Sequence, residues 1–489
     1  MQKIYSGNQV KYLDQTFLEK SGMTSHELME KAAIEFVTWF LNENFAKDIQ
    51  ILIAVGPGNN GGDGLAIARL LAENNYSIKV VEMFDSNQKL SPDVSFNNEL
   101  LPLSIPCIIW DQFDVNSVDI LIDCFLGVGL EGPLRDGAVA KINWINQFKG
   151  KIISVDLPSG IPAEEGVFVA AVHSDVTVSF QFPKLSLFAP EYAKFSGALV
   201  VLPIGITVAD SDQLFTNRYY LKAQDIKPLH RTYNRFSFKG DFGNILLVGG
   251  SYGKMGAVQL SCKSALRTGA GLVTCLVDEI GVSIIQTAIP EVMCIALEKL
   301  NLSRFDSIGI GPGWGITNRR ELFIYILENY RKPIVIDADA INLLAEHPEL
   351  IRLIPKHSIL TPHIGEFQRL VGPSKDYFDR IEKAKNFAKE NELLVVLKGA
   401  NSLIALPDGR QIFNSSGTQY MGTGGSGDVL TGMIAAYLGM GYSPENAALC
   451  GVFHHGLAGE LVGKPKRRGL IASDIIEAIP TTYLELGIS

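Results

Sequence analysis

Short apolar runs without polar alternation recur along this chain, and most of them run into a glycine or aspartate. The first series is ILIAV (51–55), IKVVEMF (78–84), DILIDCF (119–125), KIISVDL (151–157), VTVSF (176–180) and ALVVLP (198–203). Runs of this kind are the signature of strands covered on both faces, as in a mainly parallel sheet. Helical stretches separate them. One of these opens with Thr24 and Glu27 as a capping pair and carries the stripe Leu28, Met29, Ala32, Ala33, Phe36, Val37, Phe40. Strand–helix–strand order predicts a doubly wound α/β sheet.

A second series begins after a polar stretch at 208–235 that has little periodicity. It comprises NILLVGG (244–250), LVTCLV (272–277), SIGIGPG (307–313), KPIVIDADA (332–340), HSILTPH (357–363), LLVVLKG (393–399) and SLIAL (402–406), with helices near 257–268, 427–438 and 444–462. The fold class is therefore α/β in two doubly wound domains, 1–215 and 224–489, with the boundary near 215–225. The glycine loops of the two blocks differ, so no internal repeat is read. The length of 489 residues suits about three domains or two large ones.

Composition narrows the partners. The net charge of −9 gives no reason to expect nucleic acid or an anionic membrane surface as a partner. With 47% hydrophobic and 19% charged residues the chain can bury large cores. The first residues lack an apolar core, so no signal peptide is expected. The apolar stretch at 199–209 is broken by Pro203 and Gly205 and falls short of the ~18 residues a membrane span needs. The six cysteines carry no CxxC spacing, which suits small buried hydrophobes in a reducing cytoplasm.

In open α/β sheets ligands bind beyond the carboxyl ends of the strands, so the residues after each run are the informative ones. In the first block ILIAV runs into GPGNNGGDG (56–64) and a helix. Glycines there allow close backbone approach, and the helix N-terminus offers free N–H groups to a phosphate. A bare structural turn is the competing reading. DCFLGVGLEGPLR (123–135) and VDLPSG (155–160) follow two later strands, each with an acid at the strand end, Asp123 and Asp156. A buried carboxylate there binds a cation, does acid–base work or caps a turn. Oxygen donors such as Asn60, Asp123 and Ser159 suit a hard monovalent or divalent cation.

In the second block MGTGGSGDVLTG (421–432) starts an apolar helix. Gly424, Gly425 and Gly427 leave N–H groups free to cradle a moving phosphoryl group, and Asp428 stands just inside the helix to take a proton from an attacking hydroxyl. A plain first-turn aspartate favoured by the helix dipole is the competing reading. Lys398 suits a nucleotide phosphate, Glu366 a first helical turn or a magnesium-side acid, and Asp337 the substrate or a helix N-cap. His363, His454 and His455 suit packing or capping, and KPKRR (464–468) a solvated loop.

NNGGDG, DCFLGVGLEGPLR and VDLPSG resemble the epimerase domain of NAD(P)H-hydrate repair proteins, which implies a Rossmann-like fold. The resemblance implies substrate contacts at Asn59, Asn60, Gly61, Gly62, Asp63, Gly127, Val128, Gly129, Leu130, Glu131, Gly132, Pro133 and Asp156, and potassium ligands at Asn60, Asp123 and Ser159. Val128 stands where a threonine is common in that family. KGDFG, GGSYGKMGA, GPGWG, DADAIN, TPHIGEF and GGSGDVLTG resemble the ADP/ATP-dependent NAD(P)H-hydrate dehydratase, a ribokinase-like fold. This implies hydrate contacts at Ala257, Gly313, His363 and Asp428, with Asp428 the base, and nucleotide contacts at Lys398, Gly399, Ala400, Asn401, Ser402 and Gly427. Phe238 replaces a commonly seen histidine.

The two resemblances together imply repair of NADHX and NADPHX: epimerisation of the R and S forms, with Asp156 as the proton-transfer candidate, and dehydration of the S form using ADP or ATP with Mg2+. A homo-oligomer is expected. Two rivals remain open, a vitamin-precursor kinase for the second block and a non-catalytic nucleotide-binding module for the first.

Overall fold

The computed structural model describes residues 1–85, 87–129, 132, 134–164, 166, 168–207 and 214–488. The chain divides into two compact units, Lys3–Thr216 and Asn217–Ser489, the latter joined by Met1–Gln2. A two-residue strand β1 (Gln2–Lys3) precedes the helices Gly7–Ser21 and Ser25–Asn42. Both helices start with a capping box, Ser6 with Gln9 and Thr24 with Glu27, in which each side chain satisfies a backbone N–H of the other residue. The stripe from Leu28 to Phe40 is the buried face of the second helix.

The first unit is built on seven strands: β2 (Gln50–Val55), β3 (Ser77–Glu82), β4 (Cys107–Ile109), β5 (Ile120–Cys124), β6 (Lys151–Val155), β7 (Val176–Phe180) and β8 (Ala198–Leu202). Their order is β4-β3-β2-β5-β6-β7-β8, and every pairing is parallel. The chain winds one way from β2 to β4, then returns to the other side of β2. That reversal opens a crevice between the carboxyl ends of β2 and β5, which are followed by the first two glycine loops.

The second unit repeats the logic with different strands: β9 (Arg218–Leu221), β10 (Asn244–Val248), β11 (Leu272–Leu276), β12 (Met293–Ile295), β13 (Ser307–Ile310), β14 (Val335–Ile336), β15 (Ile359–Leu360), β16 (Leu394–Leu397), β17 (Leu403–Ala405) and β18 (Gln411–Asn414). Strands β12-β11-β10-β13-β14-β15-β16 are all parallel, β17 and β18 add an antiparallel meander, and β9 lies parallel to β18. The reversal falls between β10 and β13. There an added Cβ on Gly249 would stand 2.4 Å from the Pro312 carbonyl oxygen, so the two strand-end loops touch through backbone alone.

Three expectations are corrected here. The polar stretch 208–235 contains β9 and the short helix Ala223–Ile226. Four residues that pair with a strand far along the chain are too short to show a period. KPKRR is not a loop: Lys464–Lys466 end the helix Pro444–Lys466 and Arg467–Gly469 form a 3-10 turn. Basic side chains there favour the negative end of the helix. The cysteines, all six expected to be buried, are buried at only four positions: Cys107 is exposed and Cys294 half-buried.

Candidate active sites

In the first unit the β2 loop feeds the helix Asn59–Glu73, whose N-cap Gly58 offers no side chain to its free N–H groups. Glycine is required sterically here. A Cβ on Gly56 would lie 1.8 Å from the Phe125 oxygen, and one on Gly61 would lie 1.9 Å from the Gly56 oxygen. Gly61→Ala is therefore expected to cost about 3 kcal/mol of stability in this unit. Thermal unfolding checks this, and a melting profile matching the parent chain would contradict it.

Behind this loop the Asp123 carboxylate is fully buried and accepts four hydrogen bonds: Ser159 Oγ at 2.6 Å, Ser154 Oγ at 2.7 Å, Ser159 N at 2.9 Å and Phe125 N at 3.2 Å. Burial pushes its pKa up, and the four donors pull it back. Asn60 Nδ2 donates to the Leu126 oxygen at 3.0 Å, and Leu126 N donates to Ser159 Oγ at 2.7 Å. Asn60, Asp123 and Ser159 thus converge around Leu126. Asn60 Oδ1 is buried without a hydrogen-bond partner.

A cavity of about 1370 Å³ opens over these loops. It exceeds the roughly 300–1,000 Å³ of ordinary small-molecule pockets. Asn59, Asn60, Asp63, Gly127, Val128, Gly129 and Asp156 line it; Gly61, Gly62 and Gly132 are not among its lining residues. Leu130, Glu131 and Pro133 lie outside the described residues.

Asp156 follows β6 with φ +67°, a left-handed conformation that a non-glycine residue holds only when its surroundings enforce it. Its backbone N–H donates to the Val178 oxygen at 2.7 Å, and its carboxylate pairs with the buried Lys184 ammonium, which also donates to Ser179 Oγ at 3.1 Å. Lys184 and Asp14 also line the cavity, and the sequence reading named neither. Burial and the nearby Asp156 push Asp14 up to about 7, against the opposing pull of Lys184. Burial and the charges of Asp156, Asp93 and Asp14 hold Asp63 well above the usual carboxylate range.

In the second unit the chemistry gathers at the carboxyl ends of β10, β13, β14, β15 and β16. Gly313, with φ +58°, has room for no Cβ, since one would stand 2.9 Å from Ala257 Cβ and 2.6 Å from the Lys254 oxygen. Ala257 lies on the helix Met255–Thr268, whose Ser261 Oγ donates to the Asp428 backbone carbonyl oxygen at 2.7 Å. That helix lies close against the helix Ser426–Gly439. A Cβ on Gly432 would fall 2.0 Å from the Ser261 oxygen, so a side chain there would push the pair apart.

Gly425 caps the helix Ser426–Gly439 in the left-handed region at φ +89°, which leaves the first-turn N–H groups free of a side-chain cap. Asp428 is the third residue of that helix. Burial, then the charge of Asp337, raises its pKa to about 7, with Lys398 opposing.

Lys398 and His363 form a bridge at the ends of β16 and β15. The loop Gly399–Ser402 beyond them ranges from exposed to half-buried, and Asn401 Nδ2 donates to the Asn414 oxygen at 2.9 Å. The structure therefore brings Ala257, Gly313, His363, Lys398, Gly427 and Asp428 to one end of one sheet.

Several side chains differ from expectation. Asp337 begins the helix Ala338–Glu346 without capping it. Its carboxylate instead takes Lys398 Nζ at 2.8 Å and Thr431 Oγ1 at 2.6 Å. His363 and Glu366, by contrast, follow the capping and first-turn readings, because together they form the capping box of the helix Ile364–Val371. His455 is more than packing, because its Nε2 meets Ser426 Oγ at 3.2 Å. His454 is buried but bonded, to His230 at 2.9 Å and Thr482 at 2.6 Å. Nothing local in an apolar helix signals partners that arrive from other elements.

Residues 25–186 match the family model described as YjeF-related protein N-terminus, and residues 245–481 match the one described as NAD(P)H-hydrate dehydratase. A bifunctional NAD(P)H-hydrate repair enzyme of Dictyoglomus turgidum is 32% identical, with 99% of each chain covered. A Bacillus subtilis ADP/ATP-dependent NAD(P)H-hydrate dehydratase, co-crystallised with ATP/Mg2+, superposes with TM-score 0.50 at 29% identity over 55% of this chain and 98% of its own. A ribokinase-like superfamily protein from Enterococcus faecalis superposes with TM-score 0.51 at 25% identity over 56% and 98%. The second unit thus has a ribokinase-like fold. With identity above 30% over essentially the whole of both chains, this chain belongs to the family of bifunctional NAD(P)H-hydrate repair enzymes.

Proposed function

We propose that this chain repairs hydrated dihydronicotinamide dinucleotides, with an epimerase in residues 1–215 and an ADP- or ATP-dependent dehydratase in residues 224–489. The observation that carries the reading is Asp428. A carboxylate poised near neutrality stands on the first turn of a helix whose N-terminus is a glycine cradle. Hydroxide is a poor leaving group, so the ring alcohol must be activated. Asp428 accepts the hydroxyl proton as the alkoxide oxygen attacks the terminal phosphorus of the nucleotide. The bond to the departing nucleotide breaks, and the cradle N–H groups receive the moving phosphoryl charge. Phosphate then leaves with the ring oxygen, the neighbouring carbon loses a proton, and the double bond is restored. Ala257, Gly313 and His363 would hold the hydrate, and Lys398–Ser402 with Gly427 the nucleotide.

Magnesium would enter on the phosphate oxygens of the nucleotide and offset their charge. Among the described residues no cluster of three or more His, Cys, Asp or Glu side chains is arranged for a metal, which suits a phosphate-borne ion. In the first unit the unpartnered Asn60 Oδ1, beside Asp123 and Ser159, is an all-oxygen donor set that fits potassium. That ion would supply positive charge under the N-terminus of the helix Asn59–Glu73, where the substrate's phosphates are expected. Asp156, paired with Lys184, would transfer the proton in epimerisation. Only one epimer fits a chiral dehydratase pocket, so an epimerase on the same chain makes both usable. The six free cysteines suit a reducing cytoplasm. Near-full-length relatives of the repair family disfavour a vitamin-precursor kinase.

The test is a mixed-epimer hydrate supplied with ADP or ATP while the absorbance of the reduced nicotinamide is followed. Complete recovery requires both activities, and recovery that stops at the S fraction removes the epimerase from the proposal. The rate of dehydration is expected to rise with pH through about 7 and then level, because Asp428 works only when deprotonated. A flat profile between pH 5.5 and 8.5 would count against Asp428 as base.

A further inference from the structure

Asp337 is almost fully buried, yet it touches both halves of the proposed dehydratase machinery. We infer that Asp337 is a positioning residue of the dehydratase: its one carboxylate holds the Lys398 ammonium against the glycine cradle with Oδ1 and anchors the cradle helix through Thr431 with Oδ2. This rests on the proposed reaction at Asp428.

Lys398 leaves β16 with its backbone N–H bonded to the Pro362 oxygen at 2.9 Å, and its ammonium reaches the first turn of the helix Ser426–Gly439. A Cβ on Gly427 would stand 3.2 Å from that nitrogen. A cation beside the positive end of a helix is repelled unless an acid lies beneath it. Asp337 Oδ1 supplies that acid at 2.8 Å. Glu366, the other candidate, is 3.9 Å away and already accepts the His363 N–H at 2.8 Å. Thr431 stands one turn along from Gly427, so its 2.6 Å bond to Oδ2 fixes the same helix that carries Asp428. Cation, cradle and base are therefore located by a single side chain at the end of β14.

The same carboxylate bears on the protonation of Asp428. The charged groups around Asp428 are Asp337 from the end of β14, Asp339 from the following helix with Lys254 3.5 Å from it, Lys398 from β16, and Glu366 from the helix Ile364–Val371. His455 packs at Ser426 from the helix Pro444–Lys466. Of the acids, Asp337 acts most strongly to keep Asp428 protonated. Removing its charge lowers the pH at which Asp428 becomes a base.

The experiment uses the full chain, the S hydrate and ATP. For Asp337→Asn, kcat is expected to fall about 100-fold through misplaced groups, and the acid limb of the pH profile is expected to move down by about one unit. ATP binding by calorimetry and epimerase activity on the same chain report folding of the two units. A fall in kcat with an unmoved acid limb assigns Asp337 a purely structural role and overturns the inference, as does parental activity. If Asp337→Asn fails to bind ATP, Thr431→Val keeps the charge and removes only the tie to the helix. A lower kcat with the acid limb in place is then expected, and an unchanged kcat overturns the inference. Asp428→Asn, run alongside, tests the underlying reading separately. If that variant still dehydrates, the proposed base is wrong whatever Asp337 does.

Discussion

Asp428→Asn is expected to lower dehydration of the S hydrate by about 10³-fold while leaving ATP binding and epimerisation in place. Asparagine keeps the shape of the side chain and its place on the first turn of the helix Ser426–Gly439. It loses the capacity to accept the hydroxyl proton as the oxygen attacks phosphorus. The cradle N–H groups and Lys398 remain, so a residual rate from positioning is expected. Single-turnover recovery of reduced nicotinamide, compared with calorimetric ATP affinity, separates chemistry from binding. A variant that loses ATP affinity in proportion to its rate would make Asp428 a binding residue.

Much of the architecture was legible because parallel sheets covered on both faces write themselves as unbroken apolar runs. The runs 51–55, 119–125 and 244–250 became β2, β5 and β10. Local signals also sufficed where the partners are neighbours in sequence, as in the Thr24–Glu27 capping box. The failures are the elements whose existence depends on distant partners. β9 is four residues long, with no period of its own, and pairs with a strand almost two hundred positions away. The 464–468 segment reads as a charged loop because proline usually stops a helix. Here Pro465 sits in the last turn, so its ring costs only the one bond to the carbonyl four residues back, and the helix ends one residue later.

The candidate sites divide along the same line. Glycine loops and strand-end acids announce themselves, because few other arrangements need those residues in that order. What could not be read is which side chains meet across the sheet. Asp14 sits on an early helix and Lys184 beyond β7, yet both line one cavity with Asp156. Thr431 reads as an ordinary helix residue until Asp337 is seen beneath it. Two signals were available. DADAIN places an acid at a strand end, where buried carboxylates collect partners. Lys184 is a lysine in a run of apolar and aromatic residues, and such a cation needs a counter-charge.

Asp156→Asn is expected to slow interconversion of the two hydrate epimers by about 10³-fold or more, with dehydration of the S form untouched. The charge pair is the reason the effect should be large. Lys184 is almost completely buried, and its ammonium is held by Asp156 and Ser179. Asparagine removes both the proton acceptor and the counter-charge, which leaves a buried cation uncompensated. Some loss of stability in the first unit is therefore expected alongside the loss of rate. Lys184→Met distinguishes the two effects, because it removes the cation and leaves the carboxylate facing the cavity. If Asp156 transfers the proton, Lys184→Met should retain part of the epimerase rate while Asp156→Asn retains almost none. Equal losses in the two variants would reduce the pair to a structural strut, and an undiminished Asp156→Asn rate would remove that residue from the epimerase chemistry. Because the dehydratase consumes only one epimer, the same variants can be read on the intact chain. The S fraction should be repaired at the parental rate, and the R fraction should remain as a persistent deficit in nicotinamide absorbance.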